Sequence, residues 1–445
     1  MVYVIKQLWM LSLLMTGSGP LQDSATINPE KASITESVSP LNVSMIVFSD
    51  PHYYHPSLGT EGAAFKQYLD WDRKLLKESP ELLEKAVQMT LRSDADMVLV
   101  PGDLTKDGTL ISHLAVADRL ANLEKQGVEV FVVPGNHDIS NGQSYAYVGD
   151  STLRVENVDP VRFEQIYAPF GYDQAIFRDS FSLSYVAEPA EGLWIIGLDP
   201  CLYKFNDPLG HAETDGEFEE GTLRWLTDLL NSPGAGGKTR IAMMHHGVLE
   251  HHAAQERFFA ASLVNDRKKI ARLLADHNVK VVFTGHYHSN DISMKKWNDG
   301  SVLYDVETGS LVTYPCPIRK VDIEGDMMKI ETVRIRSIPS RKVDFQEYTR
   351  NYLEEGITGI VEQTLLDMNL RPKDAEKLGS QAGRVYSAHC AGDEIPRDPP
   401  LDMEGVNLRG RIIMGFRKKL VRGMYNDPPP SDNHLVINLR TGTCQ

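Results

Sequence analysis

The chain has 445 residues, of which 42% are hydrophobic, and a formal charge of −15 from 46 basic and 61 acidic side chains. This length accommodates one large domain with an appendage, or two to three domains. The acidic balance argues against broad nucleic-acid binding, because an acidic surface repels polyphosphate at long range. A small anionic substrate is compatible with it at a site that holds divalent cations, since bound cations dominate the local charge.

The four cysteines are scattered along the chain and form no CxxC pair; they are Cys201, Cys316, Cys390 and Cys444. Neither a disulfide framework nor a cysteine-rich zinc site is predicted from this spacing. The sequence leaves their disulfide state open.

Residues 1–22 resemble a secretory signal segment, with Lys6, a short apolar run at 8–15 and small residues at 16–19. We therefore predict an exported or envelope-associated protein; the alternative is a cytoplasmic protein with an unstructured start. The apolar run is too short to cross a bilayer, so no transmembrane helix is predicted in the mature chain. Residues 23–40, rich in Ser, Thr, Glu and Pro, are predicted to be a linker.

The next segment alternates short apolar runs with amphipathic stretches of helical length. Strands are predicted at 43–49, 97–100 and 128–133, with helices at 79–92 and 112–125 between them. Strands separated by helices indicate parallel βαβ units.

A second series predicts strands at 181–186, 193–198, 240–244, 279–283, 301–306 and 327–335, with helices at 221–230 and within 255–276. The predicted fold is α/β, a four-layer sandwich of two mixed β-sheets flanked by helices, over residues 41–339. Residues 340–445 are predicted to form a small, mainly helical C-terminal appendage, with helices at 345–368 and 408–424. Two insertions, at 53–79 and 199–220, are candidates for lids over a site.

Five polar clusters each follow the end of a predicted strand. They are Asp50-Pro51-His52, Gly102-Asp103, Gly135-Asn136-His137-Asp138, His245-His246-Gly247 and Gly285-His286-Tyr287-His288. Loops at the carboxyl ends of strands in α/β sheets gather at one edge, so these side chains are expected to converge. Packing alone gives no reason for so many strands to end in metal-ligand residue types.

Carboxylate and amide oxygens mixed with imidazoles suit Fe, Mn or Zn better than calcium or a metal that prefers thiolate. The sequence therefore predicts a metal centre at these strand ends. His251 and His252 lie several residues beyond the fourth strand, on a loop or helix start, and are left out of the predicted site.

The ordered blocks DPH, GDLTKDG, GNHD, MHHG and GHYH resemble the signature blocks of the calcineurin-like metallophosphoesterases. Within that superfamily they are most similar to the bacterial class III cyclic-nucleotide phosphodiesterase group. The resemblance covers roughly residues 43–335, and its specificity comes from the five blocks together.

The resemblance implies two divalent or trivalent metal ions, Fe, Mn or Zn, with Asp103 bridging them. The remaining ligands that it implies are Asp50, His52 and His288 for one metal, and Asn136, His245 and His286 for the other. His137 would be the catalytic acid beside the leaving group, with Asp138 as a candidate to orient it. Related enzymes commonly carry His-x-Pro in the fourth block, where this chain has His245-His246-Gly247. Either histidine could then coordinate, and alignment favours His245.

The predicted function is hydrolysis of small phosphodiesters by a hydroxide that the two metals share. The alternatives are a phosphomonoesterase of the same superfamily and a metal-binding protein without catalysis. The sequence does not identify the physiological substrate, the oligomeric state or the role of residues 340–445.

Overall fold

A computed structural model of the chain describes residues 40–445, so the predicted signal segment and nearly all of the predicted linker lie outside the described residues. The strands are β1 (Asn42–Val47), β2 (Met97–Pro101), β3 (Glu129–Val133), β4 (Tyr145–Val148), β5 (Ser151–Arg154), β6 (Ala175–Arg178), β7 (Tyr185–Ala190), β8 (Leu193–Leu198), β9 (Thr239–Met244), β10 (Val281–Thr284), β11 (Asp291–Lys296), β12 (Val302–Glu307), β13 (Pro317–Glu324), β14 (Met327–Arg334) and β15 (His434–Asn438). The α-helices are α1 (Ala63–Leu69), α2 (Ser79–Thr90), α3 (Leu110–Glu124), α4 (Pro160–Tyr167), α5 (Glu220–Asn231), α6 (Gln255–Phe258), α7 (Arg267–Asp276), α8 (Phe345–Asp367), α9 (Pro372–Ala391) and α10 (Leu408–Gly423).

Two large mixed sheets form the centre of the molecule. The six-stranded sheet has the order β15-β14-β13-β1-β2-β3, and the seven-stranded sheet has the order β11-β12-β10-β9-β8-β7-β6. β1, β2 and β3 are parallel neighbours, as are β8, β9, β10 and β12. The parallel strands are apolar on both faces because each sheet lies between the other sheet and a layer of helices. The predicted α/β sandwich is confirmed.

Three apolar clusters hold these layers together. The largest lies between the sheets, where Val98 and Phe131 join Ile241 and Phe283, and it extends to the apolar faces of α2 and α3. A second cluster packs α5 and α7 on the outer face of the seven-stranded sheet. The third lies among the C-terminal helices α8, α9 and α10.

Two predicted elements are wrong in part. The single helix expected within 255–276 is two helices, α6 and α7, because Phe259 leaves the helical region and Asp266 has a left-handed backbone, with φ of 54°. The strand expected at 181–186 begins only at Tyr185. The sequence reading also missed α9, whose small residues give a weak apolar pattern, and the long strand β13.

The C-terminal region is helical as expected, but it ends in a strand of the central sheet. β15 pairs antiparallel with β14, so the last residues return to the edge of the six-stranded sheet. The division into a domain at 41–339 and an appendage at 340–445 stays a prediction. Within residues 40–445, no helix combines the length and the apolar composition needed to cross a membrane.

Candidate metal centre

The five polar clusters lie at the carboxyl ends of five strands. β1, β2 and β3 end in the clusters of Asp50, Asp103 and Asn136, and β9 and β10 end in those of His245 and His286. Because β1, β2 and β3 are parallel neighbours and β9 and β10 are another parallel pair, each sheet delivers its clusters to one edge. The facing edges of the two sheets then bring all five clusters together, as the sequence predicts.

Five residues of the clusters have a backbone conformation that is rare for residues other than glycine. Asp50, His52, Asp103, His286 and His288 all have positive φ, between 37° and 71°. A non-glycine residue at positive φ costs of order 1–3 kcal/mol and is concentrated at functional sites. These turns therefore aim side chains at one point at the expense of local stability.

Two glycines allow the loops to approach closely. A Cβ atom at Gly135 would collide with the backbone and carboxylate of Asp103, and one at Gly285 would collide with Ser49 and the carboxylate of Asp50. The requirement at both positions is space for a neighbouring ligand-type side chain.

Four side chains form the first group of potential ligands. One ligand atom from each of Asp50, His52, Asp103 and His288 lies within 4.8 Å of the others. The Nε2 atoms of His52 and His288 are 3.0 Å apart. His288 Nε2 is 3.3 Å from Asp50 Oδ1, and His52 Nε2 is 3.5 Å from Asp103 Oδ2.

The second group shares Asp103. Asp103, His245 and His286 again offer atoms within 4.8 Å of one another. His245 Nε2 is 3.3 Å from Asp103 Oδ2, 3.2 Å from Asn136 Oδ1 and 3.0 Å from His286 Nδ1. One oxygen of Asp103 therefore faces both groups.

The hydrogen bonds of His245 and His286 orient each ring so that one nitrogen points toward the centre. The far nitrogen of His245, Nδ1, is 3.0 Å from the carbonyl of Pro101, and that of His286, Nε2, is 3.0 Å from the carbonyl of Ala261. A carbonyl only accepts, so these outer nitrogens donate, and the inward nitrogens are the ones that can bind a cation. This is the arrangement by which metal-binding histidines are oriented in proteins.

Burial controls the charge of these groups. It lowers the pKa of His52, His286 and His288 below the usual range, which favours the neutral form that coordinates metals. Burial opposes the charged form of His245 as well, but the Asp103 carboxylate outweighs it and raises the pKa of His245 to about 9. In return, His245 and its neighbouring imidazoles hold the pKa of Asp103 well below its usual range, although burial opposes this.

The donor set fits divalent metal ions. Two imidazole nitrogens 3.0 Å apart can share only one proton, and carboxylate oxygens next to them can only accept. A cation satisfies all of these lone pairs at once, and mixed oxygen and imidazole donors suit Fe, Mn and Zn. The metal identity stays open.

Of the two adjacent histidines in the fourth block, only His245 points to the centre. His246 directs Nε2 to the carbonyl of Thr214 at 3.0 Å. Burial lowers the pKa of His246 to about 3, so it is a neutral residue behind His286, with ring centroids 4.5 Å apart.

His137 stands beside the first group, with its ring 5.0 Å from that of His52 and its side chain 19% exposed. Its Nδ1 is 3.0 Å from Asp107 Oδ1, so Asp107 and not Asp138 is the carboxylate that contacts it. Asp138 instead accepts the backbone N–H groups of Leu104, Thr105 and Gly135 at 2.9–3.0 Å. The geometry gives Asp138 the role of holding the loop after β2 and the loop after β3 together.

The sequence reading missed Asp107 and Lys106, which form a buried ion pair behind His137. The Lys106 ammonium group also lies 3.9 Å from the ring centre of Tyr68. Although burial opposes ionisation, Lys106 and His137 lower the pKa of Asp107, so this carboxylate is charged. The available signal was the second aspartate of the GDLTKDG block, four residues after Asp103.

A pocket opens above the centre and reaches both predicted insertions. Its lining includes Asp103, Asn136 and His137, together with Lys74 from the first insertion and Thr214 from the second. The loop that breaks the predicted long helix adds Ala261, so the break places a backbone carbonyl at the site.

The family model of calcineurin-like phosphoesterases matches residues 43–290. The chain belongs to this family. The match contains all five clusters, and the family implies a dinuclear metal centre, which agrees with the two groups that share Asp103. The chain is therefore a metal-dependent phosphoesterase.

The chain is also similar to solved structures at low sequence identity. A search of the curated proteins gave no match. A dimetal phosphatase from Danio rerio matches with 16% identity and a TM-score of 0.45, over 66% of this chain and 96% of that one. A purple acid phosphatase, PPD1, from yellow lupin seeds matches with 12% identity and a TM-score of 0.39, over 66% of this chain and 52% of that one.

Proposed function

We propose that this chain is a dinuclear metal-dependent phosphodiesterase that hydrolyses small phosphodiesters. The observation that carries the proposal is the shared oxygen of Asp103, which faces His52 at 3.5 Å and His245 at 3.3 Å. A single carboxylate oxygen between two imidazole-containing groups is the arrangement expected for two neighbouring cations. A site for one cation would not need the second group.

In this proposal Asp50, His52, Asp103 and His288 hold one metal, and Asp103, Asn136, His245 and His286 hold the other. When bound, the two metals would supply Lewis acidity toward the phosphoryl oxygens and a water molecule of lowered pKa. The buried carboxylate of Asp50 is kept in place by the backbone N–H of His286 at 3.1 Å and by the Ser49 hydroxyl at 2.5 Å.

His137 is the proposed proton donor to the leaving group. Its Nδ1–H donates to Asp107, which leaves Nε2 for the substrate, and its partial exposure places it on the pocket wall. The Asp107 carboxylate accepts the Nδ1–H and holds the ring in this orientation, and a general acid placed in this way is typically worth about 10²–10⁴-fold. Asp107 is therefore a positioning residue, which acts through His137.

The charge of the pocket favours a diester over a monoester. Among the described residues that line the pocket, Lys74 is the one lysine or arginine, and it is already paired with Asp72 at 3.0 Å. A phosphomonoester dianion carries one more negative charge than a diester and gains most from cationic side chains beyond the metals. The monoesterase reading stays the alternative.

The experiment that tests the proposal compares two aryl substrates on the purified full chain with its metal content measured by elemental analysis. We expect about two metals at the dinuclear site and a higher kcat/KM on bis-p-nitrophenyl phosphate than on p-nitrophenyl phosphate. The inactive control is Asp103→Asn, which should lower the rates on both substrates together and so exclude a contaminating phosphatase.

The other outcomes have separate meanings. Preference for the monoester in the metal-loaded chain would replace the diesterase by a phosphomonoesterase. Bound metal without turnover of either ester across a wide pH range would favour the non-catalytic metal-binding protein.

A further inference from the structure

A separate cluster of potential ligands, away from the candidate metal centre, lies where the C-terminal helices meet the seven-stranded sheet. Asp291 begins β11, His389 lies near the end of α9, and Glu394 follows that helix. Each of the three offers one ligand atom, and these atoms lie within 4.8 Å of one another. We call these three residues the junction cluster. It shares no residue with the candidate metal centre.

The junction cluster is buried. Asp291 is 3% exposed, His389 1% and Glu394 8%. Glu394 contacts His389 through Oε1 and Nδ1. The remaining atoms of this pair, His389 Nε2 and Glu394 Oε2, have no hydrogen-bond partner among the described residues. Leaving a buried polar atom unpaired costs roughly 1–3 kcal/mol, more for a charged group. These two atoms therefore indicate a missing partner.

Further carboxylates lie next to the junction cluster. His251 Nδ1 is 2.7 Å from Asp291 Oδ1, and its Nε2 is 3.5 Å from both Asp305 and Glu307. Glu307 Oε2 is a further buried atom without a hydrogen-bond partner. Four buried carboxylates thus face two imidazoles. Arg319, the nearby buried guanidinium, is directed at the backbone carbonyls of Glu307 and Asp432.

We propose that the junction cluster binds one divalent cation, through Asp291, His389 and Glu394, in addition to the dinuclear centre. Two carboxylates and one imidazole are donors that suit Zn²⁺ or Mn²⁺, and a fourth position is left for water or a neighbouring carboxylate. The cation occupies the position that the unpaired His389 and Glu394 atoms leave without a partner.

The position of this site assigns it a structural role. Asp291 belongs to the sheet, whereas His389 and Glu394 belong to the C-terminal region, so one ion joins two parts of the chain. The ring of His389 lies 5.8 Å from that of Tyr287, which stands between His286 and His288 and lines the pocket. A cation at the junction therefore fixes the C-terminal helices against the pocket wall.

The test measures metal per chain in full-length proteins loaded with Zn²⁺ or with Mn²⁺ and then freed of unbound ions. The first variant, Asp50→Asn with Asp103→Asn and His286→Ala, removes the dinuclear site and should retain about one metal. The second variant adds His389→Gln and Glu394→Gln and should retain none. The matched control adds Glu331→Gln instead, which breaks the exposed contact with His434 at 3.5 Å and should still retain about one.

This design separates the junction site from the proposed function. One metal that remains in the first variant and is lost with His389 and Glu394 supports the junction site whatever the activity of the unmutated chain. No metal in the first variant overturns it and leaves an ion-pair network at the junction.

A loss of folding is handled by a single substitution. If the combined variant does not fold, Glu394→Gln is titrated alone in the background without the dinuclear site. We expect its affinity for Zn²⁺ to fall at least 10-fold, which is the lower end of the effect of losing even an outer-shell partner. An unchanged affinity overturns the proposal.

Discussion

The candidate metal centre and the junction cluster combine carboxylates with imidazoles in two different settings. The centre is built on five strand ends that meet at one edge, and its wall opens to a pocket through His137, which is 19% exposed. The junction cluster is closed, with each member at least nine-tenths buried. A site that must admit substrate needs access and aimed turns, whereas an ion that joins two segments needs only enclosure. Substitutions in the candidate metal centre are therefore expected to affect turnover, and substitutions in the junction cluster are expected to affect stability.

The largest effect is expected from Asp103→Asn. The neutral amide weakens both groups at once because the same oxygen faces His52 and His245. Metal affinity at the dinuclear site should fall by more than the about 10–100-fold typical of losing an outer-shell partner. Elemental analysis should show both metals reduced together, with the junction ion retained. Asp118→Asn, on the exposed face of α3, is the control. Loss of only one metal would contradict the bridging assignment.

The next effect separates the two adjacent histidines. His245→Ala removes the imidazole whose Nε2 lies at Asp103 and Asn136, so metal occupancy and turnover should both collapse. His246→Ala removes a side chain that contacts the Thr214 carbonyl, so the metals should stay and the loss of turnover should be smaller. Metal content and kcat of the two variants are measured side by side. Equal metal loss in the two variants would contradict the assignment of His245, rather than His246, as the ligand.

A smaller effect is expected for His137→Ala. Both metals should remain, because His137 contributes to neither group of ligands, while kcat should fall by about 10²–10⁴-fold as expected for a general acid. The loss should be largest for diesters with poor leaving groups, which need protonation most. Rates are measured on a series of aryl esters of graded leaving-group pKa. The same loss for every leaving group would exclude an acid role.

Asp107→Asn should have a weaker effect than His137→Ala, since Asp107 acts through the 3.0 Å contact with His137 Nδ1. An amide accepts the Nδ1–H less strongly than a carboxylate does, so the ring is held less well and the loss of kcat should be larger for esters with poor leaving groups. A purely structural role would lower the rates on all leaving groups equally. Asp138→Asn is the comparison, because Asp138 holds the loops through backbone N–H groups and should affect stability more than the dependence on the leaving group.

Substitutions in the junction cluster should have the smallest effect on turnover and a clear effect on thermal stability. A cation at 100 times its Kd stabilises the folded state by about 2.7 kcal/mol. The Tm of the chain with Zn²⁺ should therefore exceed that of His389→Gln/Glu394→Gln by about 3 °C, since a chain of this length shifts by roughly 1 °C per kcal/mol. Thermal unfolding of both proteins is followed with and without a chelator. A chelator effect of equal size in both would show that the junction ion contributes no stability.

The sequence by itself determined the α/β class and the candidate centre. Its blocks are short, each joins a buried strand to a ligand-type turn, and parallel strands bring their carboxyl ends together without further information. For the same reason the sequence predicts that five side chains are neighbours although nearly 240 positions separate the first from the last; they are Asp50, Asp103, Asn136, His245 and His286. Strand and helix periodicity gave most of the elements of the two sheets.

Only the tertiary structure decided which neighbours the side chains meet. It placed Asp107 rather than Asp138 at His137, since that choice depends on the path of the loop after β2 and on its burial with Lys106. It divided the helix predicted at 255–276, where a left-handed Asp266 breaks the periodicity that the sequence suggests. It also joined Asp291 to Glu394, because contacts between a strand and the end of a distant helix leave no periodic or local pattern in the chain.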